Sequence, residues 1–141
     1  MKSLNIKYSV LVLLMGLATV FTSCKDDDDD HHDPHPVNSA TITITSPAEG
    51  SQVNANQTVA ITGSISAQNT LHGYTLTIRK KADSTVLFTE NVHDHAATIT
   101  INKTWNVGAV AAHTDLELEV VTALDHDGNT ASKKVNFHAM P

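Results

Sequence analysis

Apolar and polar side chains alternate along most of the chain from residue 40 onward. Alternation with a period of two residues is typical of β-strands, because successive side chains of a strand point to opposite faces. In 115–124, for example, Leu116, Leu118 and Val120 share one face and glutamates occupy the other. No helical period is seen in this region, so the pattern predicts an all-β, antiparallel sandwich. Its seven predicted strands are 40–45, 57–66, 73–81, 85–92, 97–105, 115–124 and 130–139.

One of these segments carries an irregularity. In 97–105 the apolar residues Ile99 and Ile101 share their face with Lys103. Lysine is seldom buried unless it has a partner. We therefore expect this strand to leave the core before Trp105, or to contain a bulge.

Two stretches of the chain resemble parts of a known kind of domain. ITSPAEGSQV at 44–53 and VTALDHDGNTAS at 121–132 resemble the first strand and the last hairpin of bacterial immunoglobulin-like or fibronectin-III-like modules. The resemblance implies a seven-strand antiparallel immunoglobulin-like β-sandwich over 40–141. Since the chain has one cysteine, the antibody type of domain with its internal disulfide is excluded.

The N-terminal segment has the pattern of a secretory signal. Lys2 and Lys7 precede the apolar run 8–21, which at 14 residues is shorter than the ~20 that span a bilayer. The following Phe21-Thr22-Ser23-Cys24 resembles a bacterial lipobox. This resemblance implies that residues 1–23 are a lipoprotein signal peptide and that Cys24 is lipidated, which would attach the protein to a membrane.

The residues after the cysteine resemble a second signal. Lys25 is followed by five aspartates that begin with Asp26 and Asp27, a sequence similar to the surface-export signal of lipoproteins in the Bacteroidetes group. With the sandwich domain, it makes the chain resemble small lipoproteins of that group, a family of unknown function. The resemblance implies an outer-membrane lipoprotein exposed at the cell surface. The alternative interpretation is a solvated acidic spacer.

Residues 24–39 therefore form the predicted Asp- and His-rich flexible linker, with two prolines and no apolar periodicity. Its histidines could act as a flexible metal chelator. They are His31, His32 and His35.

Histidine is the unusual feature of the composition. The chain has nine, as many as lysine and arginine together, and a net charge of −6. The small number of basic residues argues against binding to nucleic acid. In a seven-strand sandwich the loops after 57–66, 85–92 and 115–124 lie at one end, because successive strands run in opposite directions. These loops carry His72, His93, His95, His126, Asp94 and Asp125.

Imidazole and carboxylate groups in this number suit Zn²⁺, Cu²⁺ or Ni²⁺, and His-x-His at 93–95 could supply two ligands of one site. The alternative is that these are solvated loop histidines. The other two domain histidines, His113 and His138, are expected at the opposite end as surface residues. Around Asp125 the spacing fails to match a calcium loop, since Gly128 comes at the fourth position instead of the sixth.

No motif for catalysis is present, so we expect a protein that is not an enzyme. Two functions stay open. The first is a non-catalytic, lipid-anchored envelope protein whose domain binds a protein or other ligand at the cell surface, with Trp105 as the single aromatic platform for a glycan. The second is a lipoprotein that binds or delivers a transition metal, with an outer-membrane transporter as a candidate partner.

Overall fold

A computed structural model of the protein describes residues 38–141. This part of the chain forms eight β-strands, and it contains no helix long and apolar enough to cross a membrane. The strands are β1 Ala40–Ser46, β2 Gln52–Asn54, β3 Thr58–Ala67, β4 Tyr74–Lys80, β5 Val86–Val92, β6 Thr98–Asn106, β7 Thr114–Ala123 and β8 Thr130–Met140.

The strands form two sheets. One has the order β1-β3-β6 and the other the order β2-β8-β7-β4-β5. Strands β3 and β6 lie in one sheet while β4, β7 and β8 lie in the other, which is the division found in immunoglobulin-type sandwiches. The predicted all-β immunoglobulin-like sandwich is confirmed.

The prediction of seven strands missed one. The additional strand β2 has only three residues, too few to show a period of two, and it pairs parallel to β8 through Gln52 and His138. Its middle residue, Val53, packs against the core. The sandwich is therefore antiparallel except at this short edge strand.

The core lies between the sheets and is built from the apolar face of each alternating strand. Ile61 on β3, Leu76 on β4, Leu118 on β7 and Phe137 on β8 are fully buried. Burying one such side chain stabilises the fold by roughly 1.5–3 kcal/mol. Their burial makes the sandwich a rigid support for the loops at its two ends.

Strand β6, which carries Lys103 on its apolar face, differs from both predictions made for it. Strand β6 pairs with β3 without a shift of register, so it neither leaves the core nor bulges. Trp105 is 5% exposed and meets Phe137 edge to face, which removes it as a surface platform for a glycan. Lys103 keeps its place on the inward face because its ammonium reaches the carboxylate of Glu90 on β5. Its aliphatic stem can lie along the core while its charge stays at the open edge of the sandwich.

The two ends of the sandwich carry different loops. We call the end that holds the β3–β4, β5–β6 and β7–β8 loops the apical end, and the other the basal end. Asn38 lies at the apical end, where its side-chain amide donates to the Leu124 carbonyl at 2.8 Å. The β6–β7 loop and the last residues of β8 lie at the basal end, where Thr114 is paired with Ala139.

Candidate functional site

Four histidines from three loops meet at the apical end, and we call them the apical histidine cluster: His72, His93, His95 and His126. Their rings form a continuous series of contacts. The centroids of His126 and His72 are 3.9 Å apart, those of His72 and His95 5.1 Å, and those of His95 and His93 4.5 Å. The structure thus brings the rings of all four apical histidines that the sequence singled out into contact, but no three of their ligand atoms lie mutually within 4.8 Å of one another.

The backbone around Gly73 fixes the position of His72. The His72 amide donates to the Ala123 carbonyl at 3.1 Å, and the Gly73 carbonyl accepts from the buried Thr122 hydroxyl at 2.8 Å. Gly73 has a φ of +97°, and a Cβ there would lie 2.1 Å from the Val92 carbonyl oxygen. Only glycine lets the β3–β4 loop approach so closely the backbone that leads into His93.

His93 and His95 are the most closely associated pair of the cluster. Their Nε2 atoms are 2.9 Å apart, so the N–H of one ring donates a hydrogen bond to the nitrogen of the other. Both side chains are exposed, and their loop is anchored by a hydrogen bond from the Leu71 amide to the Ala96 carbonyl at 3.1 Å. Two nitrogens on one tetrahedral ion with bonds of about 2.05 Å lie roughly 3.3 Å apart. The two nitrogens are thus close to the separation that one ion requires, and both rings must turn so that their lone pairs point at the ion instead of at each other.

His72 differs from the other three because its ring is half-buried. Its Nδ1 has no hydrogen-bond partner among the residues that the structure describes. Burial, followed by the nearby rings of His126 and His95, lowers the pKa of His72. A neutral imidazole is the form that ligates metal ions.

The two acidic residues predicted for the site have different surroundings. The Asp125 carboxylate accepts from the amides of Asp127 at 2.9 Å and Asn129 at 3.1 Å, and from the Asn129 side chain at 2.7 Å. The side-chain bond from Asn129 contributes most to lowering the pKa of Asp125. Its oxygens therefore order the hairpin that carries His126. Asp94 is exposed between His93 and His95.

An open cleft of about 750 Å³ borders the cluster. Amide side chains make up much of its wall beside the two histidine rings. Its lining includes Asn38, Gln68, Asn69, His72, His126 and Asn129.

A second group of ligand side chains lies at the basal end, and we call it the basal triad: His113, Asp115 and His138. One ligand atom from each lies within 4.8 Å of the other two. The strand directions in the sequence predict both histidines at this end, but Asp115 is not among the predicted ligands. The missed signal is the His-x-Asp spacing at 113–115, which puts both side chains on one side of an extended chain, next to the paired strand that carries His138.

The remaining sequence-based predictions lie outside the described residues. They concern the lipidated cysteine, the export signal and the linker histidines. These residues are Cys24, Lys25, Asp26, Asp27, His31, His32 and His35.

No protein-family model matches the chain, and no curated protein matches it. Among solved structures, it is similar to fibronectin(III)-like modules of Clostridium thermocellum CbhA, with 18% sequence identity, a TM-score of 0.43, and coverage of 70% of this chain and 94% of that one. It is also similar to murine CRIg, with 12% identity, a TM-score of 0.44, and coverage of 72% of this chain and 97% of that one.

Proposed function

We propose that the protein is a non-catalytic, lipid-anchored component of the cell envelope whose sandwich domain binds a divalent transition metal at the apical histidine cluster. The observation that carries this proposal is the contact of four imidazole rings from three separate loops. The loops of a rigid sandwich are the usual place for binding residues.

The contacts between the rings favour metal binding over solvated loop histidines. Strand direction brings the three loops to one end, but it does not require their imidazole rings to be in contact there. Protonated rings would repel one another at the 3.9 Å that separates the ring centroids of His72 and His126. The donors of the cluster are nitrogens, which suit Zn²⁺, Cu²⁺ and Ni²⁺. Ca²⁺ and Mg²⁺ prefer oxygen ligands and are disfavoured.

The geometry suggests an order of participation. His93 and His95 supply the first two nitrogens because their Nε2 atoms are 2.9 Å apart. His72 follows, since its ring meets that of His95 edge to face and its backbone is fixed. His126, on the exposed hairpin, completes the set by rotation of its side chain.

The test is a titration of the full chain, purified in detergent, with Zn²⁺, Cu²⁺ and Ni²⁺. The histidines of the linker and of the basal triad are first replaced (H31A/H32A/H35A/H113A/H138A) so that they contribute no binding. We expect micromolar or tighter affinity, and a loss of at least tenfold with H93A/H95A because the chelating pair is removed. T98A/T100A serves as the matched control, since it alters two exposed residues of β6 that follow this loop and leaves both rings.

Two results would contradict the proposal. One is affinity no better than millimolar in the parent chain. The other is an unchanged affinity of the apical cluster in H93A/H95A while the variant remains folded by circular dichroism.

The anchoring rests on the sequence alone and has its own test. We expect the C24S variant to incorporate no labelled fatty acid because it has no thiol to accept a lipid. Replacing Lys25, Asp26 and Asp27 by alanine should leave the protein lipidated but protected from protease added to whole cells. Incorporation of labelled fatty acid by C24S would contradict lipid anchoring at this residue.

One observation favours protein binding as a second candidate function. Val86 and Leu87 are 54% and 38% exposed at the start of β5, which is an edge strand of its sheet. Exposed apolar residues on an open strand edge are suited to strand addition by a partner. A photo-crosslinking residue at position 87 should then join the chain to one outer-membrane protein such as a transporter, whereas the same residue at position 132, on β8, should not.

A further inference from the structure

The basal triad combines two imidazoles and one carboxylate around a single point. Asp115 on β7 and His138 on β8 are direct partners across the two strands, and their Oδ1 and Nδ1 atoms are 2.7 Å apart. The Nε2 atom of His113 is 3.5 Å from the same Oδ1 atom, and the two histidine ring centroids are 5.0 Å apart.

We propose that His113, Asp115 and His138 form a second metal site, which binds Zn²⁺ or a similar divalent transition metal independently of the apical histidine cluster. The ligand atoms assigned to the ion are Nε2 of His113, Nδ1 of His138 and one carboxylate oxygen of Asp115. This proposal goes beyond the apical site and does not depend on it.

The spacing of the ligand atoms supports this assignment. Ligand atoms around a tetrahedral zinc ion lie about 3.3 Å apart. The Asp115 Oδ1 atom is 2.7 Å from Nδ1 of His138 and 3.5 Å from Nε2 of His113, and these distances lie on either side of that value. Among residues 38–141, this is the one group of three His, Cys, Asp or Glu side chains whose ligand atoms are all mutually within 4.8 Å.

The backbone holds the triad in place without the ion. The Lys81 amide donates to the Asp115 carbonyl at 2.9 Å, and the His138 amide donates to the Ser51 carbonyl at 2.9 Å. The Thr114 hydroxyl donates to the Ala112 carbonyl at 2.9 Å, which orders the loop next to His113. The site is therefore largely formed before a ligand binds, which reduces the ordering cost of binding.

An ordinary ion pair explains the triad less well. A pair between His138 and Asp115 would need only one imidazole, yet the second ring approaches the same oxygen atom. If both rings were protonated they would repel each other. One divalent ion replaces both protons and satisfies all three groups at once.

The donor set and the exposure indicate how the ion would be held. Two nitrogens and one oxygen suit zinc, copper or nickel, and three protein ligands leave a fourth position for water. The side chains of His113, Asp115 and His138 are 54%, 55% and 33% exposed, so this position is open to solvent. Lys81 lines the same cleft as His113 and Asp115, and its positive charge opposes cation binding there.

The experiment isolates the basal site in the full chain. The linker and apical chelators are removed together (H31A/H32A/H35A/H93A/H95A), and the detergent-purified protein is titrated with Zn²⁺. We expect one ion per chain with micromolar affinity, together with large shifts of the ring ¹⁵N resonances of His113 Nε2 and His138 Nδ1.

Three further variants in this background sharpen the test. D115N should weaken zinc binding at least tenfold. K81M should strengthen it severalfold, because it removes the opposing charge and leaves the Lys81 backbone bond in place. D83N is the matched control, since it removes an acidic charge from the neighbouring β4–β5 turn and should leave the affinity unchanged.

The proposal is overturned if the isolated site binds zinc no better than millimolar, or if D115N binds as the parent does. If D115N fails to fold, H113A removes a ligand from an exposed loop and must show the same loss. The apical site is tested separately in H31A/H32A/H35A/H113A/H138A. If this chain does not bind zinc while the chain with only the basal triad does, the apical proposal is refuted and the basal proposal is retained.

Discussion

The two ends of the sandwich assemble their ligand side chains in different ways. The apical histidine cluster draws on three loops, and close backbone contacts around Gly73 hold those loops together. The basal triad takes Asp115 and His138 from paired strands and only His113 from a loop. The apical arrangement can collect more ligands, whereas the basal one has fewer ligands that are fixed by strand register.

Because the apical cluster depends on the loop backbone around Gly73, backbone changes there should affect the apical end far more than the basal end. We expect the largest effect from G73A. The new Cβ would lie 2.1 Å from the Val92 carbonyl oxygen on a backbone with a φ of +97°. Strain and overpacking together should lower the free energy of unfolding by about 3 kcal/mol, as measured by urea denaturation, and apical zinc affinity should fall while basal binding persists.

The matched control for this variant is G108A. Gly108 also has a positive φ, +71°, but a Cβ there would meet nothing within 4 Å. Strain alone should therefore cost about 1 kcal/mol. Equal destabilisation by G73A and G108A would show that the close approach of the loops does not matter.

A smaller effect is expected from T122V. The Thr122 hydroxyl is fully buried and donates to the Gly73 carbonyl at 2.8 Å. Removing this donor should lower the free energy of unfolding by about 1–2 kcal/mol and weaken apical zinc binding, with no change at the basal triad. T122S keeps the hydroxyl and should retain the apical affinity; an apical loss in T122S as large as in T122V would argue against the role of the hydrogen bond.

The smallest predicted effect concerns acid sensitivity near the basal end. Glu49 accepts from the Asn136 amide and from its side chain, both at 3.0 Å, and these bonds lower the pKa of Glu49. A lowered folded-state pKa contributes stability that is present above the unfolded value of about 4.3 and is lost as the pH falls through the folded value. E49Q should therefore show a shallower decline of melting temperature below about pH 5.

The variant N136A, at the partner of Glu49, checks whether the hydrogen bonds between the two residues cause the acid sensitivity. It removes the side-chain donor and should reproduce part of the change seen in E49Q. A decline of melting temperature in E49Q as steep as in the parent chain would show that Glu49 does not supply the acid dependence.

The sequence allowed the apical convergence to be predicted because strand direction alone decides which loops share an end. It could not show that Asp125 orders a hairpin through Asn129, since that depends on side-chain hydrogen bonds. The metal site that the sequence suggests at the apical end stays a prediction. Asp115 was missed because its value as a ligand comes from register, which pairs it with His138.

The errors in the fold have equally local causes. Strand β2 is three residues long and pairs parallel to a strand far away in the sequence, so the pattern of apolar and polar residues does not predict it. Because Lys103 shares the face of Ile99 and Ile101, the sequence predicts that the strand leaves the core before Trp105 or contains a bulge, and neither is the case. The position of Glu90 on the opposite sheet, which a single-strand pattern cannot reveal, makes that lysine acceptable.

The length of β8 has a consequence for two ions on one chain. From Thr130, just beyond the apical hairpin, to His138 the strand advances eight residues, or about 26 Å. At physiological ionic strength the screening length is about 8 Å. The electrostatic repulsion between an ion at the apical end and an ion at the basal end would thus be negligible, and the chain could bind both ions at once.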